Sequence, residues 1–193
     1  MKSIIISFYM LLLCLLSINA SASLHPGIHF MLGGRYDDVR MCVSTPAGVK
    51  GGSIADVMLD FRYAMGDNLS VAFNLPVMRP VLFAAAFKMM QFEPQFALEI
   101  NRSIKNNLGI IFSPGLGISL HYGPDYHSDT ANRGESFFAA GPFISTLFGL
   151  GFPGSSGHRK VAGIRAFYIP LFSGTHENGT VLGAAVEYHI SFR

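Results

Sequence analysis

The residues best able to do chemistry are charged and polar side chains at alternate positions within apolar stretches: Arg35, Asp56, Asp60, Arg62, Asn74, Glu93, Gln95, Glu99, Arg165, Glu187 and His189. On an extended chain, residues two apart share a face, so each stretch would turn its charges one way and its apolar side chains the other. Gathered in one interior, these groups could line a gated ion path or hold a polar solute. They could equally pair with one another as a salt-bridged filling, which is the expected outcome for a narrow interior. A second group is His121-Tyr122-Gly123 with Glu135 and the nearby His127-Ser128. A hydroxyl becomes a nucleophile when a base lies within hydrogen-bond reach, and a loop could bring these together. Loop histidines without catalysis are common, and no catalytic residue is expected. His121, His127, Asp125 and Asp129 match no recognised metal-ligand spacing, so neither a metal nor a cofactor is expected. A third feature is the apolar connection Arg79–Met90, in which Arg79, Leu82, Phe83 and Phe87 are candidate contacts for a hydrophobic ligand. It would either fold over a mouth or simply extend the strands that flank it.

The elements that would position these residues are strands. From Leu182 the last stretch alternates Leu182, Ala184, Val186, Tyr188, Ile190 and Phe192 with Gly183, Ala185, Glu187, His189 and Ser191. Period-two alternation of this kind marks a strand whose faces meet different environments. Comparable rows run through Gly27–Tyr36, Ile54–Met65, Leu69–Val77, Gln91–Asn101, Leu108–Tyr122 and Val161–Phe172. In Gly27–Tyr36 the polar row carries His29, Met31 and Arg35. Glu135–Phe152 is apolar on both faces, which leaves its register undefined. Longer polar connections (Asp37–Gly52, Gly123–Gly134, Ser173–Gly179) follow the first, fifth and seventh of these strands, and shorter turns follow most of the others. Pro94, Pro114, Pro142 and Pro170 fall inside strand candidates. There they remove ladder donors, so bulges or rims are expected at those points.

The expected fold is therefore all-β: an eight-stranded antiparallel up-and-down transmembrane β-barrel spanning residues 23–193, after a signal peptide over 1–22. Lys2, the apolar run Ile4–Ile18 and Ala20-Ser21-Ala22 have the order of a cleaved secretory signal. Charged residues make up only 13% of the chain while 50% is apolar, which departs from soluble composition. No stretch beyond the signal is long and apolar enough for a membrane helix. The small net charge of +2 excludes the dense basic surface that nucleic acid requires. Cys42 is the only cysteine after processing, so no internal disulfide is expected. The competing architecture is a secreted soluble β-barrel or sandwich, which would leave the aromatic and aliphatic rows uncovered.

Turn positions suggest two cross-strand neighbours. Asp60 and Asn74 are equidistant from Asp67, and Arg165 and Glu187 from His176, so each pair is expected to sit directly opposite. The strand count, signal sequence, loop asymmetry and terminal aromatic strand together resemble the small OmpA/OmpX/OmpW-like bacterial outer-membrane barrels. One departure is that Arg193 follows Phe192, which makes the aromatic penultimate. The resemblance implies an outer-membrane location, lipid as surroundings, and recognition by the barrel-assembly machinery through Tyr188, Ile190 and Phe192. It implies a non-enzymatic structural role, or transport of a small ionic solute or hydrophobic ligand; an adhesive surface is the alternative. Some outer-membrane barrels are lipid A deacylases with a His-X-Ser motif. Here Gly123 stands where that serine would follow His121, whereas His189-Ile190-Ser191 has the spacing at the opposite end.

Overall fold

The computed structural model describes residues 24–37, 50–85, 89–105, 108–124, 135–153, 159–174 and 178–192. The expected signal peptide, Phe87, Asp125, His127, Asp129 and Arg193 lie outside the described residues. The strands are β1 (Leu24–Asp37), β2 (Gly52–Ala64), β3 (Leu69–Pro76), β4 (Met90–Phe92), β5 (Gln95–Lys105), β6 (Leu108–Pro124), β7 (Ser136–Pro153), β8 (Arg159–Leu171) and β9 (Gly179–Ser191). A single short helix among the described residues, α1 (Met78–Ala84), separates β3 from β4.

Every pairing is antiparallel, and the sheet closes on itself. β1 pairs with β2 on one side and with β9 on the other, Ile28 facing Ile190 across the seam, while β6 pairs with β7. β4 and β5 both pair with β6 in one register, Phe92 opposite Leu120 and Gln95 opposite Gly117. They are one strand interrupted at Glu93-Pro94, so the ring has eight staves. Leu24, Phe192, the Gly66-Asp67-Asn68 turn and the strand ends at Lys105, Leu108, Pro153 and Arg159 share one end of the barrel, called here the turn end. The strand ends at Asp37, Gly52, Pro124, Ser136, Leu171 and Gly179, with α1, share the other, the loop end.

The interruptions fall at prolines, which lack the backbone donor. The β5–β6 ladder passes from Ala97↔Gly115 to Ile100↔Phe112 without pairing Pro114. The β7–β8 ladder stops at Ile144↔Tyr168 and resumes only as the Ala140↔Phe172 bridge, leaving Pro142 and Pro170 in the gap. There Gly141 comes so close to β8 that a Cβ would lie 1.7 Å from the Pro170 carbonyl oxygen.

Alternation decides what faces out. Phe30, Leu32, Phe96, Leu116, Ile144, Phe148, Ile164, Leu182 and Val186 are exposed, whereas the residues between them are buried. The aromatic pairs Phe73–Phe96 and Phe112–Phe148, with ring centroids 4.9 and 4.8 Å apart, lie on this outer surface. A belt of this kind on a closed ring is stable only against hydrocarbon. An arginine in it should be costly: Phe148→Arg is expected to lose about 2–4 kcal/mol of folding stability in lipid vesicles, measured by urea titration. Arginine at Ser136, on the loop-end rim, should cost under about 1 kcal/mol.

β7 resolves the stretch whose pattern was uninformative. Phe137, Ala139, Phe143 and Leu147 point inward, and Phe138, Ile144, Phe148 and Leu150 point outward. Its inner face is apolar because the loop-end half of the interior holds a hydrophobic cluster. Met31, Ile54, Met58, Phe137, Phe143, Phe167, Ile169, Leu171 and Val181 belong to it. A smaller cluster of Ile111, Leu147 and Val161 lies toward the turn end.

Candidate functional site

All the residues expected to face inward do so: Arg35, Asp56, Asp60, Arg62, Asn74, Glu93, Gln95, Glu99, Arg165, Glu187 and His189 are buried. His29, already in the polar row of its strand, lies in the same interior with Asp37, Gln91, His121 and Ser145, and Arg79 from α1 and Arg159 from the first position of β8 join them. An eight-stranded ring is only wide enough for side chains to fill, and here they pair.

The network has three parts. Toward the loop end, Arg79 bridges two carboxylates: its Nε is 3.2 Å from Asp56 Oδ2, and its Nη1 donates to Glu93 Oε2 at 2.7 Å. Ser119 Oγ donates to the other Glu93 oxygen at 3.2 Å, and His121 Nε2 lies 3.3 Å from it. Arg35 pairs separately with Asp37 at 2.9 Å. In the middle, Arg165 grips Glu187 with two donors, Nε to Oε2 at 2.5 Å and Nη2 to Oε1 at 3.0 Å. Its third donor nitrogen reaches Ser145 Oγ at 2.9 Å. A bidentate guanidinium–carboxylate pair fixes orientation as well as charge. Toward the turn end, Glu99 lies between Arg62 Nη2 at 3.1 Å and Arg159 Nη1 at 2.6 Å. A cavity of about 280 Å³ opens there, with Arg62, Ser70, Glu99, Arg159 and Ser191 in its wall.

Asp60 does stand opposite Asn74. Arg165 and Glu187 are partners, but not opposite neighbours: Arg165 faces Ala185 and Glu187 faces Gly163. The β8–β9 connection is centred one residue earlier than His176, which shifts the pairing by two residues along the same face. A long guanidinium spans that diagonal.

The connection Arg79–Met90 begins as helix rather than as an extension of the strands that flank it. Beyond Asn74↔Gln95, β3 and the β4/β5 strand have no ladder between them. Pro76 lacks the donor needed to continue it: Val77 turns its amide to Val57 on β2, so position 76 is the one directed at β4/β5. The chain instead turns into α1, where Pro80 is harmless because first-turn amides have no intrahelical partner. Arg79 near the start of the helix reaches the interior. Phe83 near its end meets Tyr122 on the outer surface, edge-on at 6.0 Å between centroids. α1 thus leads from lumen to lipid face through an unladdered stretch of wall. Leu82 and Phe83 are half-buried and Val81 is exposed.

Of the first catalytic candidate, His127 and Ser128 lie outside the described residues. The His121 ring is buried against Glu93 and Ser119, while Glu135 is exposed at the rim. His189 Nε2 lies 3.0 Å from Ser191 Oγ, but Asp60 Oδ2 sits 3.1 Å from that same nitrogen. A base needs its orienting carboxylate on the other ring nitrogen, and Nδ1 instead lies 3.0 Å from Arg62 Nη2. His29 was legible only as a member of a polar row. Its place beside His189, directly across the β1–β9 seam, needed the register.

A closed antiparallel ring of eight strands, apolar outside and ion-paired within, defines a small transmembrane β-barrel of the outer-membrane type. No protein-family model matches the sequence, and no curated protein sequence does. The structure is similar to the crystal structure of Neisserial surface protein A (NspA), with TM-score 0.54, 10% identity, and coverage of 86% of this chain and 97% of that one. It also overlaps, at TM-score 0.35 and 13% identity, the outer membrane enzyme PagL, over 84% of this chain and 97% of that one. The likeness is one of fold: the small eight-stranded outer-membrane barrel.

Proposed function

We propose that this protein is a non-enzymatic barrel of the outer membrane that takes a hydrophobic ligand through its wall, rather than passing ions along its axis. The observation that carries this reading is the unladdered stretch between β3 and β4, spanned by α1 with Arg79 turned inward and Phe83 turned outward. An ion path down the axis has little support, because buried ion pairs and the loop-end apolar cluster occupy the bore. Lipid is the surrounding partner, and Tyr188 and Ile190 on β9, with Phe192 just beyond it, are the contacts offered to the assembly machinery.

The test uses the protein reconstituted in planar bilayers and in nanodiscs. No discrete conductance steps are expected, while a fluorescent polyene fatty acid should bind saturably. Phe83→Ala should weaken that binding by roughly tenfold, the equivalent of about 1.5 kcal/mol of lost aromatic burial. Regular conductance steps, or fatty-acid binding indifferent to Phe83→Ala and Leu82→Ser, would overturn the reading.

A further inference from the structure

The middle of the lumen holds a group of side chains that the wall opening does not use. His29 on β1, His189 on β9 and Asp60 on β2 are all buried, and one donor atom from each lies within 4.8 Å of the others. His29 Nε2 is 3.6 Å from Asp60 Oδ1, and His189 Nε2 is 3.1 Å from Asp60 Oδ2. Ligands about 2.0–2.1 Å from a tetrahedral ion stand roughly 3.3–3.5 Å apart, so the two contacts to Asp60 bracket the spacing an ion needs, and small side-chain turns within the 4.8 Å set would close it. We propose that His29, Asp60 and His189 form a binding site for a divalent transition-metal ion of the zinc type, reached from the turn end of the barrel.

Three further observations support the assignment. His29 Nε2 and both carboxylate oxygens of Asp60 are buried without an aligned hydrogen bond, an expensive arrangement for polar atoms in a protein interior. An ion would satisfy one nitrogen and at least one oxygen at once. The second observation is the arrangement behind His29. Its Nδ1 is 3.1 Å from Glu187 Oε1, and Glu187 is itself clamped by Arg165. A ligating histidine characteristically donates its other ring N–H to a carboxylate, which fixes the tautomer and raises ligand basicity. Here that leaves Nε2 free to ligate, the atom that faces Asp60. Third, β1 carries glycine beside the cluster. A Cβ on Gly27 would sit 3.0 Å from both Asp60 Oδ2 and His189 Nε2, so the backbone side of the centre stays open.

The donor set selects the class of ion. Two imidazoles with one carboxylate suit zinc, copper or nickel, whereas calcium and magnesium prefer all-oxygen shells. Three protein ligands also leave a position for a water or a solute.

The neighbouring charges set the terms of entry. Arg62 Nη2 lies 3.1 Å from His189 Nε2 and 3.5 Å from Asp60 Oδ2, so a guanidinium competes for the same ligands. It has an alternative partner in Glu99, to which it can stay bound after leaving the histidine. Arg62 and Ser191 both touch His189 and both line the turn-end cavity, which gives an ion a route inward. The site stands independently of the hydrophobic-ligand reading.

Zinc itself is the probe, titrated calorimetrically into the full barrel folded in detergent micelles. Cobalt(II) absorption reports the coordination geometry. One ion per chain is expected, with the intense visible bands of a four-coordinate cobalt site. Asp60→Asn and His29→Gln should each weaken binding by at least about 100-fold, and Glu187→Gln by roughly 10–100-fold. Arg62→Gln should tighten it by removing the competing cation. Folding of each variant is checked by its heat-shifted mobility on a gel, and an unfolded Asp60→Asn leaves His29→Gln and the wild-type cobalt spectrum to decide. The absence of stoichiometric binding, the weak bands of a six-coordinate cobalt site, or zinc binding unchanged in folded His29→Gln would each overturn the proposal.

Discussion

Arg165→Met is expected to destabilise the barrel by about 3–5 kcal/mol, the usual consequence of removing one partner from a buried ion pair. The arginine and Glu187 are each about 1% exposed. The guanidinium satisfies both carboxylate oxygens and the Ser145 hydroxyl. Without it, Glu187 keeps His29 Nδ1 at 3.1 Å. The double variant Arg165→Met/Glu187→Leu should recover most of the loss, since an apolar pair of similar volume carries no desolvation cost. The inner apolar residues Phe143, Phe167 and Ala185 show that this part of the bore tolerates such packing. Urea-induced unfolding from lipid vesicles measures both variants, and the difference between the single and double changes is the decisive quantity. If Arg165→Met costs under about 1 kcal/mol, water reaches Glu187 and the interior is not sealed at its middle.

How far the sequence revealed this arrangement depends on the range of the interaction. Alternation is a local property, so residues such as Leu182 and Val186 are assigned to the outer surface, and Glu187 and His189 to the inner, from neighbouring positions alone. Asp60 and Asn74 could be paired because a tight turn joins their strands and leaves the register no freedom. The longer β8–β9 connection does leave such freedom, and so Arg165 and Glu187 are partners along a diagonal rather than opposite each other. β7 was opaque because period two is visible only where the faces differ in polarity, and Phe137 and Phe143 give its inner face the character of its outer one. The assembly of His29, Asp60 and His189 depends on closure of the ring, which brings residues from the first and last strands together. Neither histidine has a local spacing that announces the other. α1 was the largest departure. Pro76 is conspicuous singly, but that its missing donor lies on the side of β4/β5, and so ends that ladder, is a statement about register.

That departure also sets the second large effect. Arg79→Ala should destabilise the barrel by about 3 kcal/mol, toward the lower end for a broken buried pair because the arginine side chain is 11% exposed. Asp56 and Glu93 would then lose the cation between them. The same change should release α1. The helix buries no residue completely and has no side-chain cap at its start, and a helix this short has little stability of its own. Its hold on the wall therefore depends on Arg79 at one end and the Phe83–Tyr122 contact at the other. The expected result is protease cleavage between β3 and β4 in Arg79→Ala under conditions that leave the wild type intact, together with weakened fatty-acid binding. Arg79→Lys should give an intermediate result. A lysine restores a positive charge but lacks the fork that reaches two carboxylates from different strands. Lost stability without cleavage would mean that α1 is held by its apolar contacts alone and that Arg79 serves only the charge balance of the lumen. Cleavage at wild-type stability would mean the reverse. The two readouts together separate the role of Arg79 in closing the wall from its role in neutralising the interior.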